Sequence, residues 1–212
     1  MPTFDTPEPI TVTLELGVGN VQIAASDRTD TVVDVQPSHP GKKADEAAAR
    51  ETRVEYANGA LLIGAPRGWK PLGPRSGHGS IDVRIDLPAG SAVRGNAGVA
   101  TLRCTGRIGE CRFRTGVGDV TLEHTGPAEL KAGMGDVTVD AIGGRAEIKT
   151  AGAIRVRSID GSCVIKNSNG DTWIGEITGE AHVNAANGAI AVDVAHSGVE
   201  AKTANEIGRA HV

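Results

Sequence analysis

The sequence has few aromatic residues, few cysteines and no long apolar run. Five of its 212 residues are aromatic, and three are cysteines in no metal-binding spacing, which indicates reduced thiols. No apolar run approaches the roughly 18 residues that span a bilayer, so no transmembrane segment is expected. The N-terminus has neither the basic nor the apolar region of a secretory signal, so we expect a cytoplasmic protein. The net charge of −4 gives no overall reason to expect nucleic-acid binding.

Glycine, in contrast, is abundant, with 29 residues. These glycines have no three-residue period, which excludes collagen. Valine and isoleucine recur in short alternating runs, which argues against disorder and favours β-strands.

The first ninety residues combine strand patterns with one helical segment. Residues 10–35 alternate in polarity as strands do, with a turn signal at residues 17–20. Residues 42–53 have the one good helical pattern of the chain, and a hairpin turns at Asn58 and Gly59. We therefore predict that residues 1–90 form an N-terminal strand-helix cap.

A glycine- and proline-rich loop, residues 64–80, follows the hairpin and carries basic but no acidic residues. One interpretation is a flexible basic arm on which Trp69 stacks against a base or a sugar. The other is a solvated crossover, because such loops commonly carry these charges. Either way, the segment SIDVRIDLPAG at residues 80–90 predicts the next strand.

From residue 91 the sequence repeats itself with a spacing of 17–20 residues. TLRCTG returns as TLEHTG, and GVGDVTLEHTG is echoed by GMGDVTVDAIGG. A period in this range predicts a solenoid in which each coil buries its apolar face on its neighbours. We therefore predict an all-β fold, a short-coil β-solenoid, over residues 91–205. The corner glycines are Gly98, Gly118, Gly135, Gly152, Gly170 and Gly188.

The repeat alignment also assigns the cysteines. Cys111 and Cys163 fall in a column of small inward residues and are expected to be buried. Cys104 aligns with His124 near a turn and is expected to be exposed or half-exposed.

A basic column is the most distinctive surface feature of the repeats. Its members share one outward position, and Glu129, Glu147 and Glu200 flank them. One hypothesis is a stripe that contacts an anionic polymer, such as nucleic acid, a teichoic-type polymer or lipid headgroups. The alternative is a solvated, self-neutralised sheet face. The column consists of Arg114, Lys131, Lys149, Lys166 and Lys202.

Aspartates at the corners suggest two further interpretations. Asp119, Asp136 and Asp171 follow corner glycines, so they form either a calcium ladder or turn caps. The glycine pairs open no helix, which argues against a dinucleotide site. No nucleophile motif or metal-ligand spacing is present. We therefore expect no catalytic residues, no cofactor and no metal.

The order of these segments resembles a bacterial family of unknown function, of actinobacterial type, whose members are called putative adhesins or β-strand repeat proteins. The resemblance covers about residues 8–205. It is carried by GVGNV, by an Ala/Arg-rich helix before TRVEYANGALLI, by SIDVRIDLPAGS and by the GVGDVTLEHTG-like coils. It implies a β-solenoid and supplies no catalytic residue.

The last seven residues, 206–212, differ from the repeats. EIGRAHV is also the translation of GAG ATC GGA AGA GCA CAC GTC, which resembles the start of a sequencing-library adapter. We expect an artefactual tail after Asn205, a truncated protein, and an open sheet edge that favours self-association.

These observations predict a non-enzymatic scaffold or interaction protein, adhesin-like, whose partner is an unknown protein. The main alternative is a module that binds an anionic polymer through the basic column. A polysaccharide-acting enzyme is a third hypothesis, which the short coils and scarce aromatics disfavour.

Overall fold

The computed structural model describes residues 1–64 and 79–204, together with the backbone of Arg209 and Ala210. Within these ranges the chain forms nineteen β-strands, all in one sheet, and one α-helix. The predictions for Trp69 and most of its basic loop, and for the adapter-like tail apart from that dipeptide, lie outside the described residues.

The strands fall into an N-terminal group and a repeating group. The N-terminal group is β1 (Thr3–Asp5), β2 (Thr11–Ser26), β3 (Asp30–Pro37), β4 (Arg53–Ala57), β5 (Ala60–Gly64) and β6 (Ser80–Pro88), with helix α1 (Lys43–Glu51) before β4. The repeating group is β7 (Ala92–Arg107), β8 (Cys111–Val117), β9 (Val120–Thr125), β10 (Ala128–Met134), β11 (Val137–Gly143), β12 (Ala146–Thr150), β13 (Ile154–Asp160), β14 (Cys163–Asn169), β15 (Thr172–Ile177), β16 (Ala181–Asn187), β17 (Ile190–Ala195), β18 (Val199–Thr203) and β19 (Arg209–Ala210).

From β8 onward, each strand pairs in parallel with the strand two positions later in the sequence. This rule produces two ladders. The even ladder contains β8, β10, β12, β14, β16 and β18. The odd ladder contains β9, β11, β13, β15, β17 and β19. Both ladders begin on β7, because its first half pairs with β8 and its second half with β9.

The predicted short-coil β-solenoid with an N-terminal strand-helix cap is wrong, although the all-β class is confirmed. Within the described ranges, the parallel strands form a nearly closed, barrel-shaped sheet. The N-terminal residues belong to this sheet, since β2 pairs in parallel with β7 from Thr11 opposite Ala92 to Ala25 opposite Gly106. Helix α1 contacts β3 and β6. The predicted turn at residues 17–20 lies inside β2.

The physical reason for this correction is strand alternation. The buried residues of β2 recur every second residue from Val12 to Leu16 and, after a shift of one position, again from Gly19 to Ala25, the period that the strands of the repeats also have. Pairing β2 with β7 also satisfies backbone groups that β7 would otherwise leave open at an edge. The N-terminal segment therefore extends the sheet.

The hairpin prediction is confirmed. Strands β4 and β5 pair antiparallel. Asn58 and Gly59 both have positive φ, at 50° and 73°. That conformation is typical of the tight hairpin turn that Asn-Gly favours.

Small and branched side chains fill the core, with one large exception. Phe113 is fully buried, and its Cα partner in the sheet is Gly95. A Cβ at position 95 would lie 2.6 Å from Phe113 Cδ2. Glycine at position 95 therefore provides the space that the aromatic ring occupies.

All three cysteines are buried, so the expected exposure of Cys104 is wrong. Cys104 pairs with Leu122, and Arg107 pairs with His124, because a bulge shifts the register between them. The alignment of TLRCTG with TLEHTG set Cys104 opposite His124, two residues beyond its true partner Leu122, and so assigned it to an outward position. The bulge lies after Cys104, so it changes the partners of the residues that follow and not that of Cys104.

Helix α1 is anchored by a buried carboxylate. Asp45 is fully buried, and its Oδ1 accepts a hydrogen bond from the backbone N–H of Ser80 at 3.0 Å. Its Oδ2 lies 2.9 Å from His39 Nδ1, and Lys42 Nζ lies 3.2 Å from Oδ1. Asp45 therefore joins the helix to the first residue of β6.

Candidate functional site

The five basic residues of the predicted column lie on strands of the even ladder. The register sets Lys131 opposite both Arg114 and Lys149, and sets Lys149 opposite Lys166. Asn184 of β16 stands between Lys166 and Lys202. Neighbouring strands lie about 4.8 Å apart, so these positions are close enough to interact.

Glutamates on the same strands pair with the first three members of the column. Glu129 Oε1 accepts hydrogen bonds from Arg114 Nη2 at 2.9 Å and from Lys131 Nζ at 2.5 Å. Glu147 Oε1 lies 2.9 Å from Lys149 Nζ and 3.6 Å from Lys131 Nζ. The acidic side chains thereby offset the repulsion between like charges in neighbouring strands.

These contacts hold the glutamates in their charged form. Hydrogen bonds from Lys131 and then Arg114 lower the pKa of Glu129 to about 2. The hydrogen bond from Lys149 lowers the pKa of Glu147. Both carboxylates are therefore ionised at neutral pH, where they act as fixed counter-charges and not as general acids.

The acidic residues of the even ladder neutralise only part of its positive charge. Val164 of β14 takes the place of Glu147 in the register, so Lys166 has no carboxylate two residues before it on its own strand. Strands β8 to β18 of the even ladder carry six basic and three acidic residues, although the whole chain is acidic. They are Arg112, Arg114, Lys131, Lys149, Lys166 and Lys202, with Glu129, Glu147 and Glu200.

The corner aspartates act as turn caps. Asp119 Oδ1 accepts a hydrogen bond from the backbone N–H of Asp136 at 2.8 Å, and Asp136 Oδ1 accepts one from Ala153 at 2.8 Å. Asp171 Oδ1 does the same for Ala189 at 2.9 Å. Each carboxylate therefore ties one corner to the next. In the part of the chain that the structure describes, no group of three or more His, Cys, Asp or Glu residues could hold a metal ion.

The three thiols are unsuited to nucleophilic chemistry. Burial raises the pKa of Cys111 to about 12 and that of Cys163 to about 11. Burial also raises the pKa of Cys104. These thiols are therefore protonated at neutral pH, and they pack as small apolar side chains.

A second candidate surface lies on the odd ladder and was missed by the sequence analysis. Trp173 of β15 is 37% exposed, and its Nε1 donates a hydrogen bond to Asp193 Oδ2 at 3.2 Å. A Cβ at Gly175 would lie 3.1 Å from the indole Cη2 and 3.3 Å from Cζ2, so the ring packs over this glycine. The sequence feature that could have identified this surface is the tryptophan itself, because it stands at an outward repeat position where other strands have Thr138 or Arg155.

No helix among the described residues is long and apolar enough to cross a membrane.

Solved structures share this fold. A putative adhesin from Parabacteroides distasonis matches with a TM-score of 0.53 at 12% identity, covering 99% of this chain and 93% of that one. A putative adhesin from Bacteroides fragilis gives 0.53 at 13% identity, with 99% and 94% coverage. A putative lipid binding protein from Parabacteroides distasonis gives 0.52 at 12% identity, with 98% and 94% coverage.

Identities this low establish a shared fold and no shared function. No protein-family model and no curated protein matches the sequence. The resemblance to putative adhesins is therefore supported by structural neighbours, and the actinobacterial type stays a prediction.

Proposed function

We propose that the chain is a non-enzymatic, adhesin-like interaction protein that presents ordered rows of side chains to a partner. The observation that carries this proposal is the register of the even ladder, which aligns Arg114, Lys131 and Lys149 across successive strands. Salt bridges to Glu129 and Glu147 hold these side chains in place. Such preorganisation favours binding, because less side-chain entropy is lost on contact.

The chemistry of the ionisable groups supports a binding role. Glu129 and Glu147 are held as ions by their basic neighbours, and the cysteines are held as neutral thiols by burial. The names of the structural neighbours, adhesin and lipid binding protein, also describe binding.

The test is a titration of the fluorescently labelled chain onto cell envelopes and soluble extract of the organism that encodes it. We expect saturable binding that unlabelled chain displaces and that heat-unfolded chain does not show. Release of reducing sugar from the envelopes during the same incubation would instead indicate the polysaccharide-acting enzyme. Failure to find saturable binding in either fraction would contradict the proposal.

A second candidate function, binding of an anionic polymer, is favoured by the excess of basic residues on the even ladder. The variant for this test combines Lys131→Glu, Lys149→Glu and Lys166→Glu. We expect its affinity for polyphosphate or double-stranded DNA to fall by at least about tenfold, because contacts that release counterions are lost.

The matched control makes the same charge change on the other face, with Arg155→Glu and Arg157→Glu on the odd ladder and Arg103→Glu on the half of β7 that pairs with β9. Circular dichroism establishes first that both variants are folded. Unchanged polymer binding by the even-ladder variant, or equal loss in both variants, would eliminate this candidate.

A further inference from the structure

Trp173 is held in a fixed orientation at the protein surface. Its indole N–H is bound by Asp193, and its six-membered ring packs over Gly175. An exposed aromatic side chain contributes less free energy to folding than a buried one. The same strand has buried positions, which Ile174 and Ile177 occupy, yet the tryptophan stands at an exposed one. The structure thus leaves a large, flat apolar surface accessible and restricts its motion.

Groups of both charges lie on the strands that flank this ring. Arg155 is the Cα partner of Trp173 on the neighbouring strand β13. Arg157 lies on the same strand, with its side chain 75% exposed and its Nη2 3.7 Å from Asp140 Oδ1. The guanidinium group of Arg155 and the carboxylate of Asp193 therefore lie on the two strands that flank Trp173, and Asp140 lies one strand farther away, on β11.

Hydrogen-bonding side chains continue from Trp173 along the odd ladder toward the N-terminal strands. Each pairs in register with the next, at about 4.8 Å per strand. The row ends beside a cavity of about 350 Å³ lined by polar residues that include Gln22, Arg84 and Asn20. In order, the row is Arg155, Thr138, Thr121, Arg103, Gln22 and Arg84.

We propose that Trp173 is the stacking platform of a binding site for an uncharged glycan on the odd ladder. This inference rests on the proposed interaction role and places the partner on a face distinct from the basic column. A pyranose ring has a flat face of C–H groups that stacks on an indole, and a rim of hydroxyls. Those hydroxyls donate to carboxylates such as Asp193 and accept from guanidinium groups such as Arg155.

The charges favour a glycan over a nucleic acid. Asp193, which is bound to the indole N–H, would repel a phosphate group stacked at the ring, whereas hydroxyls can bind both carboxylates and guanidinium groups. The strand spacing is also comparable with the length of one sugar unit. A glycan that crosses the strands therefore meets a new hydrogen-bonding side chain at about each residue.

The experiment measures tryptophan fluorescence in the Trp69→Phe background, so that Trp173 is the one reporter. Maltohexaose, cellohexaose and chitohexaose are titrated separately. We expect a saturable change in emission with at least one of them, because stacking alters the surroundings of the indole.

Calorimetry then compares variants with the oligosaccharide that binds. Trp173→Ala should lower the affinity roughly tenfold, the loss expected for about one stacking contact, and Trp173→Phe should retain part of the affinity. Met134→Ala, at another exposed apolar residue, is the matched control and should bind as the parent does.

Each result has a separate meaning. Absence of binding to all three oligosaccharides, with saturable envelope binding retained, overturns the glycan site and leaves the proposed function standing. Oligosaccharide binding that survives Trp173→Ala also overturns the site. Binding of a single-stranded oligonucleotide that is lost in Trp173→Ala, without glycan binding, assigns the platform to nucleobases.

Discussion

At the scale of single residues, Asp45 shows how one buried carboxylate couples folding to pH. The backbone N–H of Ser80 and the side chains of His39 and Lys42 lower its pKa from 3.8 to about 2. A lowered pKa means that the charged carboxylate stabilises the folded state above about pH 4. This contribution is lost as the pH falls through about 2.

We predict that Asp45→Asn lowers the melting temperature at neutral pH, since the amide cannot replace the charge toward Lys42. The difference from the parent protein should narrow between about pH 4 and pH 2, where the parent loses its own carboxylate. Thermal melts followed by circular dichroism across this range provide the measurement. Asp27→Asn, at an exposed position, is the control. Equal melting of Asp45→Asn and the parent at neutral pH would show that the helix anchor contributes nothing.

At the scale of strands, the contact between Gly95 and Phe113 couples β7 to β8. A methyl group at position 95 would lie within 3 Å of two ring atoms, Cδ2 and Cε2 of Phe113. We predict that Gly95→Ala destabilises the protein by about 1–3 kcal/mol through overpacking. Phe113→Ala should cost about 3–5 kcal/mol through the cavity that it leaves. Urea unfolding measures both.

The double variant distinguishes this contact from two separate losses. Gly95→Ala combined with Phe113→Leu should lose less stability than the sum of the two single changes, because leucine leaves room for the added methyl. Strict additivity would mean that the glycine is required for another reason, such as the contact of 3.3 Å that an added Cβ would make with Leu14 Cβ.

Much of the strand architecture could be predicted from the sequence, because residues two apart share a face of a strand. Alternation identified the inward residues Val120, Leu122, Val137 and Val139, all of them buried. The same reasoning aligned Lys131 with Lys149. Both predictions depend on local periodicity, which can be read directly from the sequence.

The missed features depend on contacts between distant segments. The pairing of β2 with β7 joins residues far apart in the chain, and the glycines at 17 and 19 suggested a turn where the strand continues. Cys104 lies opposite Leu122 and not His124, because β7 and β9 pair two residues away from the alignment that the repeated TLRCTG and TLEHTG motifs suggest. Trp173 and Asp193 meet because β15 and β17 are adjacent, so their hydrogen bond required the ladder to be known.

At the scale of the whole molecule, the two ladders make the repeating part a stack of layers, each built from one even and one odd strand. Residues 146–162 form one such layer, with β12 and β13. Without this layer, β10 would face β14 and β11 would face β15, with small or branched residues again opposite one another, as Ala128 opposite Cys163. We predict that a chain lacking residues 146–162 folds with the same β-sheet circular dichroism signal and a lower melting temperature, since one layer of burial is lost.

The control deletion removes residues 146–153, which takes out β12 and leaves β13. Every later strand then moves from one ladder to the other, so Lys166 and Lys202 take positions in the odd ladder. The corner glycines then no longer stack on one another. This smaller deletion should nevertheless cause the greater loss of structure. The pairing register of the later strands is kept when a whole layer is removed and lost when half a layer is removed, whatever the number of residues. If the shorter deletion were the better tolerated, stability would follow chain length, and the layered coupling of the two ladders would be wrong.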